Sequence, residues 1–479
     1  IYYIFFIIII LISFSYGEDV TVQLHVIARH GDRTPIRHVS IPKYQEQVDS
    51  ITRVLNTDYG QLTPLGAYQC QKFGSLLRQR FLTKNIKSIS GISQTYNVSQ
   101  YEFLASGIDR TMQCGQSIGE GLFMKDINTY GGPEVVGPNI YKDVDENQEP
   151  LPNNLQLLSI RSTIVEEDML LRAFRNCPTL DKDRSTFHRD SSYQSLINSK
   201  SKEIQSLNDH FGLKSSTTFS DYIGISDTLQ VLRKHKLVEP SGDDAVNFDK
   251  AVQLGKDALV LEYNSSFVKS KGAGVLLHSI TNRMEQFIAG ELSTKFKLYV
   301  AHDTTLLSLF SALNIDLSAY EISQPEEVSA LLIELVRDKD VYSVKFSYQP
   351  NWQRSESIPL KFTKNKFSCL DSGCSFSSWK SNANVFSLSP KLWCDACSNS
   401  SAPDCLKSRI SDLMTIIIWV LVLCFSVLVI FMSCTFFCLL FFLLCIDRKR
   451  KKNSLEPRYT SIATDDIMSD EPEASEMFT

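Results

Sequence analysis

Three short stretches of this chain concentrate the residue types that bind and transfer charged oxyanions. They are Arg29-His30-Gly31-Asp32-Arg33, Asp109-Arg110-Thr111 and His302-Asp303-Thr304-Thr305. Between them they hold three arginines, whose planar forks match phosphate oxygens two at a time. They also hold two histidines, and a neutral imidazole can attack phosphorus to form a phosphohistidine, dividing one hard displacement into two easier ones. Clustered positive charge then stabilises the transferring group. The leaving alkoxide needs a proton, and Asp303 is the natural donor provided that it carries one at the working pH. Gly31 would let the backbone come close to the anion. A phosphate monoester is the ligand this chemistry suits.

Each cluster also has a plainer reading. Arg29 and Arg33 would be surface charges, except that they flank a histidine straight after an apolar run. Arg110 beside Asp109 reads as an ordinary helix start, and His302-Asp303 as a helix N-cap. The functional reading draws its force from all three occurring together. His25 sits inside a strand pattern and reads as a core histidine. His38, His188, His210, His235 and His278 have no evident partner in sequence. Asp32 has no assigned task beyond orienting the neighbouring arginines.

The elements that must position these clusters are legible around them. Residues 20–28 are β-branched and apolar and predict a buried strand. Residues 61–81 predict a helix, with Thr63 as N-cap and Pro64 at the first helical position. Residues 101–106 predict a second strand leading into a helix, and "KFKLYVA" a third strand followed by another helix. "VSALLIELVRDKDVYSVKFSYQ" reads as a hairpin around Asp338-Lys339-Asp340. From about residue 131 to 290 strand signals fade and polar segments with helical spacing dominate. The expected fold class is α/β: a central mixed, mostly parallel sheet flanked by helices, with a smaller, mainly helical insertion or cap. In an open sheet of this kind ligands bind beyond the carboxyl ends of strands, where the three clusters fall.

Arg29-His30-Gly31-Asp32-Arg33-Thr34-Pro35 resembles the R-H-G-x-R-x-P signature of the histidine acid phosphatases, and Ala301-His302-Asp303 their downstream H-D element. "GQLTPLG", "IDRTMQ", "GAGVLLHSI" and "FRNCP" match family stretches in the expected order, so the resemblance spans roughly residues 20–394. It implies that His30 is the nucleophile and Asp303 the proton donor. Arg29, Arg33, Arg110 and His302 would bind phosphate, with no metal and no cofactor. It further implies a bond between Cys369 and Cys374, and one from Cys177 to Cys394 or Cys397; the pairing of Cys70, Cys114 and Cys405 stays open. A phytase or other narrow phosphatase of the same superfamily shares these motifs. A receptor that kept the fold without turnover is the alternative from another class, and the six unsubstituted residues weigh against it.

The ends of the chain bear on where this chemistry occurs. Residues 1–17 are apolar, close on Ser15-Tyr16-Gly17 and read as a signal peptide, with an uncleaved anchor as the alternative. With neither an initiator Met nor a basic n-region before it, the expectation is a sequence truncated at its start or one whose processing is unrecorded. Residues 413–446 carry no charge and exceed the roughly 20 residues a membrane span needs. The basic run Arg448 to Lys452 then belongs on the cytoplasmic side. The expected layout is type I: a lumenal or extracellular phosphatase domain over 18–395, a stalk over 396–412, the span, and a cytoplasmic tail over 447–479.

That layout resembles the membrane-anchored, lysosomal-type members of the family, in a lysosome-like compartment or at the cell surface. Tyr459-Thr460-Ser461-Ile462 has the tyrosine pattern read by endosomal sorting adaptors, and a homodimer is a further partner to consider. Sequons at Asn97, Asn264 and Asn399 lie on the lumenal side. Eight of the twelve cysteines precede the span, an even number suited to disulfides. Zinc at Cys394/Cys397 and Cys369/Cys374 is the alternative there, and Cys445 beside the basic run is a candidate for palmitoylation. A net charge of −5 over 479 residues offers no reason to expect nucleic acid.

Overall fold

The computed structural model describes residues 19–83, 88–123, 157–320, 322–360, 373–400 and 402–453. The signal-peptide segment, Cys369 and the Tyr459–Ile462 pattern lie outside them.

Strand β1 (Val20–Arg29) is buried along nearly its whole length and feeds two cores through its alternating side chains. Helix α1 (Gln45–Leu55) follows, then α2 (Pro64–Leu77), where Thr63 caps by accepting from the Gly66 amide at 3.1 Å. Next come β2 (Tyr101–Ala105), α3 (Asp109–Leu122) and β3 (Ile160–Ser162). Helices α4 (Pro178–His188), α5 (Ser191–Phe211), α6 (Tyr222–Lys234), α7 (Gly242–Tyr263) and α8 (Lys269–Ile288) fill the long middle. Strand β4 (Phe296–Ala301) leads into α9 (Asp303–Ala312). The predicted hairpin is β5 (Ala330–Asp338) and β6 (Val341–Gln349), turning through Lys339 at φ 53°. Short strands β7 (Ile358–Pro359) and β8 (Cys374–Ser375), helices α10 (Phe376–Ala383) and α11 (Pro390–Cys397), and the long α12 (Pro403–Asn453) complete the order.

The sheet runs β3-β2-β4-β1-β5-β6-β7, with β8 also on β6. The β3/β2, β2/β4 and β4/β1 pairs are parallel, while β1/β5, β5/β6, β6/β7 and β6/β8 are antiparallel. The expectation of a mostly parallel sheet is therefore corrected to an evenly mixed one. The hairpin is antiparallel by construction, and its first strand β5 docks on β1 against that strand's direction, so β5, β7 and β8 run against the other five strands. One core, with Phe73, Phe103, Ile118 and Phe296, lies under α2 and α3; the other, with Leu276, Leu306, Phe310 and Ile333, lies under α8 and α9.

A third core belongs to the helical cap, and its boundaries differ from the expected 131–290. It is built from Phe211, Tyr222, Leu229, Leu232 and Phe248 of α5 to α7, together with Ile41, Tyr44, Val48 and Ile51 from before α2. Helix α8 instead buries its apolar face, including Leu276, Ile280 and Met284, on the sheet. Strand β3 lies inside the region that read as helical, and its three residues are too few for a period-2 signal to register.

Disulfides tie α2 to α3 through Cys70–Cys114, α4 to α11 through Cys177–Cys397, and α11 to the start of α12 through Cys394–Cys405. Of the two partners considered for Cys177 the structure selects Cys397, and Cys394 is corrected to a bond with Cys405. The reason is local: Thr179 Oγ1 donates to the Ala396 carbonyl at 2.8 Å, which seats the end of α11 against the start of α4. Disulfide bonding at Cys394 and Cys397 removes the zinc alternative for that pair. Cys374 is also disulfide-bonded.

Asn399 is corrected as a glycan acceptor, because it is buried and its Nδ2 donates to the Asn176 carbonyl at 2.7 Å. Asn97 is exposed, and Asn264 is half-buried. The stretch read as a stalk is packed as far as Cys405, which is fully buried. The chain divides after Lys407. Beyond it, α12 is long and apolar enough over Cys405–Lys452 to cross a membrane, and its Cys424, Cys434, Cys438 and Cys445 are free thiols.

Candidate active site

Strand register brings the first and third clusters together. Arg29 stands opposite Ala301 across the parallel β1/β4 pair, so the next residues, His30 and His302, leave adjacent strand ends side by side. Their rings meet edge to face with centroids 5.5 Å apart. The β2/β4 register sets Ala105 opposite Val300, which delivers Ser106 to the same edge and starts α3, carrying Arg110, just beyond.

His30 is held by its own backbone. Its amide donates to the Ala301 carbonyl at 3.1 Å, and its carbonyl accepts from the Val328 amide at 3.2 Å. Its Nδ1 lies 2.8 Å from the Gly31 carbonyl oxygen. A carbonyl can only accept, so Nδ1 carries the proton and the lone pair of Nε2 is left for chemistry. Burial, followed by the charges of Arg110, Arg33 and Arg29, holds the imidazole pKa well below its ordinary value. Burial and the three arginines thus favour the neutral ring. Gly31 proves to be needed for a reason other than approach to an anion: a Cβ there would lie 2.3 Å from the Gly66 carbonyl in the first turn of α2.

His302 is oriented by two neighbours. Its Nε2 lies 2.9 Å from Ser106 Oγ, which Thr111 Oγ1 in turn contacts at 3.0 Å. Arg110 Nη2 approaches Nδ1 at 3.5 Å, and Arg110 Nη1 donates to the Gly60 carbonyl at 3.1 Å. Burial and Arg110 push His302 well below its ordinary value, against the opposing charge of Asp303. Burial and the nearby Arg33 also lower the Arg110 guanidinium, to about 9.

Asp303 opens α9, and its Oδ1 accepts from the Thr304 amide at 2.8 Å. Its Oδ2 is 3.1 Å from Arg29 Nη2 and accepts from Gln324 Nε2 at 3.0 Å. Burial raises this carboxyl, but Arg29, Arg33, Gln324 and His302 together outweigh it and hold the pKa below its ordinary value. Arg29 also donates to the Pro325 carbonyl. Arg33 is gripped by Asp227 of α6, Nη2 to Oδ1 at 2.9 Å and Nη1 to Oδ2 at 3.0 Å.

All six residues singled out in the sequence lie at this one edge and are nearly fully buried or, for Asp303, largely so. The Nε–H groups of Arg29, Arg33 and Arg110 are buried without a protein acceptor among the described residues. A cradle of three guanidinium groups with donors to spare is built for an oxyanion.

Several partners were invisible in sequence. Ser106, Gln324 and Asp227 come from three other elements, and no local spacing signals them. Asp32 does not orient the arginines as expected: it accepts from Thr63 at 2.5 Å and pairs with His235 at 2.8 Å and Lys234 at 3.5 Å. His25 is a satisfied core histidine, 3.1 Å from Gln23 Oε1 and stacked on Tyr299. His38, His188 and His210 pair with Asp49, Glu262 and Asp244.

The model of the histidine phosphatase superfamily (branch 2) matches residues 22–349. Over 347 residues the chain is 25% identical to prostatic acid phosphatase of Homo sapiens, covering 72% of this chain and 81% of that protein. Over 336 residues it is 25% identical to lysosomal acid phosphatase of Bos taurus, covering 69% and 71%. Among solved structures, the phytase from Citrobacter braakii superposes with a TM-score of 0.53 at 13% identity, covering 79% of this chain and 99% of that one. That likeness is one of fold.

Proposed function

This chain belongs to branch 2 of the histidine phosphatase superfamily, and from that membership and the geometry of its site we propose that it is an acid phosphatase hydrolysing phosphate monoesters through a covalent phosphohistidine. The observation that carries the reading is the His30 ring, its Nδ1 committed to the Gly31 carbonyl and its Nε2 without a partner among the described residues, beside three buried arginines.

His30 Nε2 attacks phosphorus while the bond to the leaving oxygen breaks and Asp303 hands that oxygen a proton. Water then attacks the phosphohistidine, Asp303 takes the proton back, and the N–P bond breaks to release phosphate and neutral His30. Arg29, Arg33 and Arg110, with His302, hold the phosphoryl oxygens through both steps.

Asp303 is ionised in the free site because Arg29 and Arg33 act on it. A phosphate that occupies those guanidinium groups offsets their charge and raises the Asp303 pKa, so a substrate arriving as its monoanion can supply the proton. That coupling favours turnover in acid. The same reading takes α12 as a span holding the catalytic part outside the cytosol, in a lysosome-like compartment or at the surface. It is supported by the helix's apolar length, the basic run after it, and relatives named lysosomal and prostatic acid phosphatases.

The test is alkaline-quench trapping with 32P-labelled aryl phosphate. A base-stable, acid-labile phosphoenzyme in the wild type, absent in His30→Ala, is the expected result. Label retained in that variant would remove His30 as nucleophile.

A further inference from the structure

A fourth arginine stands beside the cradle, on the segment between β3 and α4. The Leu171 carbonyl accepts from Thr305 Oγ1 at 2.7 Å, and Thr305 lies two residues past Asp303. Arg172 follows directly, and its Nη1 donates to the Val165 carbonyl at 3.3 Å. Val165 packs on the other half of the site: a Cβ on Gly107 would lie 3.2 Å from its Cγ2, and Gly107 follows Ser106, which holds His302. The segment is stiff, since Asn176 Nδ2 bridges the Val165 and Asp168 carbonyls at 2.9 and 3.1 Å. Asp168 in turn accepts from the Leu170 and Leu171 amides at 3.0 and 2.7 Å.

Arg172 is half-buried, and the Val165 carbonyl is the one hydrogen-bond acceptor its guanidinium meets among the described residues. Asp168 and Glu166 are the opposing charges that act on it, yet neither forms an ion pair with it among the described residues. Arg172 is among the cations that lower His302 and Arg110, in keeping with its place beside Ser106 and Thr305. Its guanidinium is partly exposed and held by a single carbonyl, on a segment that packs beside Gly107 and Ser106 on one side and Thr305 on the other.

We propose that Arg172 forms a second anion subsite, selecting phosphate monoesters that bear another anionic group, carboxylate or phosphate, within a few bonds of the scissile phosphorus. The proposal rests on the phosphatase reading above. It predicts a preference that the three-arginine cradle alone does not supply.

Two matched pairs test it: glycerol 2-phosphate against 2-phosphoglycerate, and propane-1,3-diol monophosphate against the bisphosphate. The wild type should show the higher kcat/KM for the doubly anionic member of at least one pair, and which pair identifies the second group as carboxylate or phosphate. Arg172→Gln should cut that preference roughly tenfold, chiefly through KM, as the loss of one charge-assisted contact implies. Arg172→Lys should keep part of it. No preference in the wild type, an unchanged ratio in Arg172→Gln, or a parallel loss on both members would overturn the subsite. The wild-type ratio decides even if the variant fails to fold. Hydrolysis of none of the four substrates would instead sink the phosphatase reading, and the subsite with it.

Discussion

His235 Nε2 lies 2.8 Å from Asp32 Oδ2, joining the end of the cap helix α6 to the middle of the loop that carries His30. The same helix supplies Asp227 to Arg33, and Lys234 to both Asp32 and Glu327. Successive loop residues are thus gripped from one helix, while Thr63 and Gln69 hold Asp32 from α2 and its cap. An ionised carboxylate with 1% of its surface exposed is tolerable only because these partners satisfy it.

Breaking that grip should therefore disturb catalysis as well as stability. Asp32→Ala is expected to cost about 3 kcal/mol in urea unfolding, the usual range for one partner of a buried pair. It should also lower kcat at least tenfold. His235→Asn, which keeps a donor, should retain more activity than His235→Ala. Asp32→Ala with wild-type kcat would show that the loop holds its geometry without this contact.

The two proposed catalytic groups are separable by leaving group. His30→Ala should abolish turnover of aryl and alkyl phosphates alike. Asp303→Asn should impair alkyl phosphates far more than p-nitrophenyl phosphate, whose phenolate leaves without a proton. Equal losses on both substrates would argue against Asp303 as the acid.

The buried histidines make stability depend on pH in a direction that can be worked out. Burial, with Arg283 and Lys297 adding to it, holds His25 well below its ordinary value; His30 and His302 are depressed likewise. Below about pH 6.5 the unfolded chain takes up protons that the native state refuses, so stability falls as pH drops through that point. Each such group contributes a slope of up to about 1.4 kcal/mol per pH unit. Asp32, whose pKa is lowered by His235, Lys234 and Thr63 against the effect of burial, adds stability that is lost only further down, below the ordinary carboxylate range. Unfolding followed by calorimetry between pH 7 and 2 checks this, and His25→Gln should flatten the upper part of the curve.

Covalent structure offers an independent check. Non-reducing peptide mapping should recover Cys177 joined to Cys397 and Cys394 joined to Cys405. Cys177→Ser should cost about 4–5 kcal/mol, as the entropy of a long closed loop implies. Asn97 should carry glycan, while Asn399, committed to the Asn176 carbonyl, should not. A glycan found on Asn399 would mean that the buried contact does not form in the mature protein.

The chemical inventory was readable in the linear chain because strand ends and helix starts announce themselves locally. Arg29-His30-Gly31-Asp32-Arg33 follows a β-branched run, and Thr63-Pro64 carries its own capping chemistry. Those patterns sufficed for the α/β class and the hairpin, and they singled out six residues that packing brings to one edge of the sheet. The tertiary structure alone decided that Arg29 and Ala301 share a register, that Asp32 faces His235 rather than an arginine, and that Cys394 belongs to Cys405. It also decided that β5 docks antiparallel on β1, so that β5, β7 and β8 run against the other five strands. Local propensity depends on a few neighbouring residues, whereas register, ion-pair choice and disulfide partner depend on which distant segments packing brings within a few ångströms.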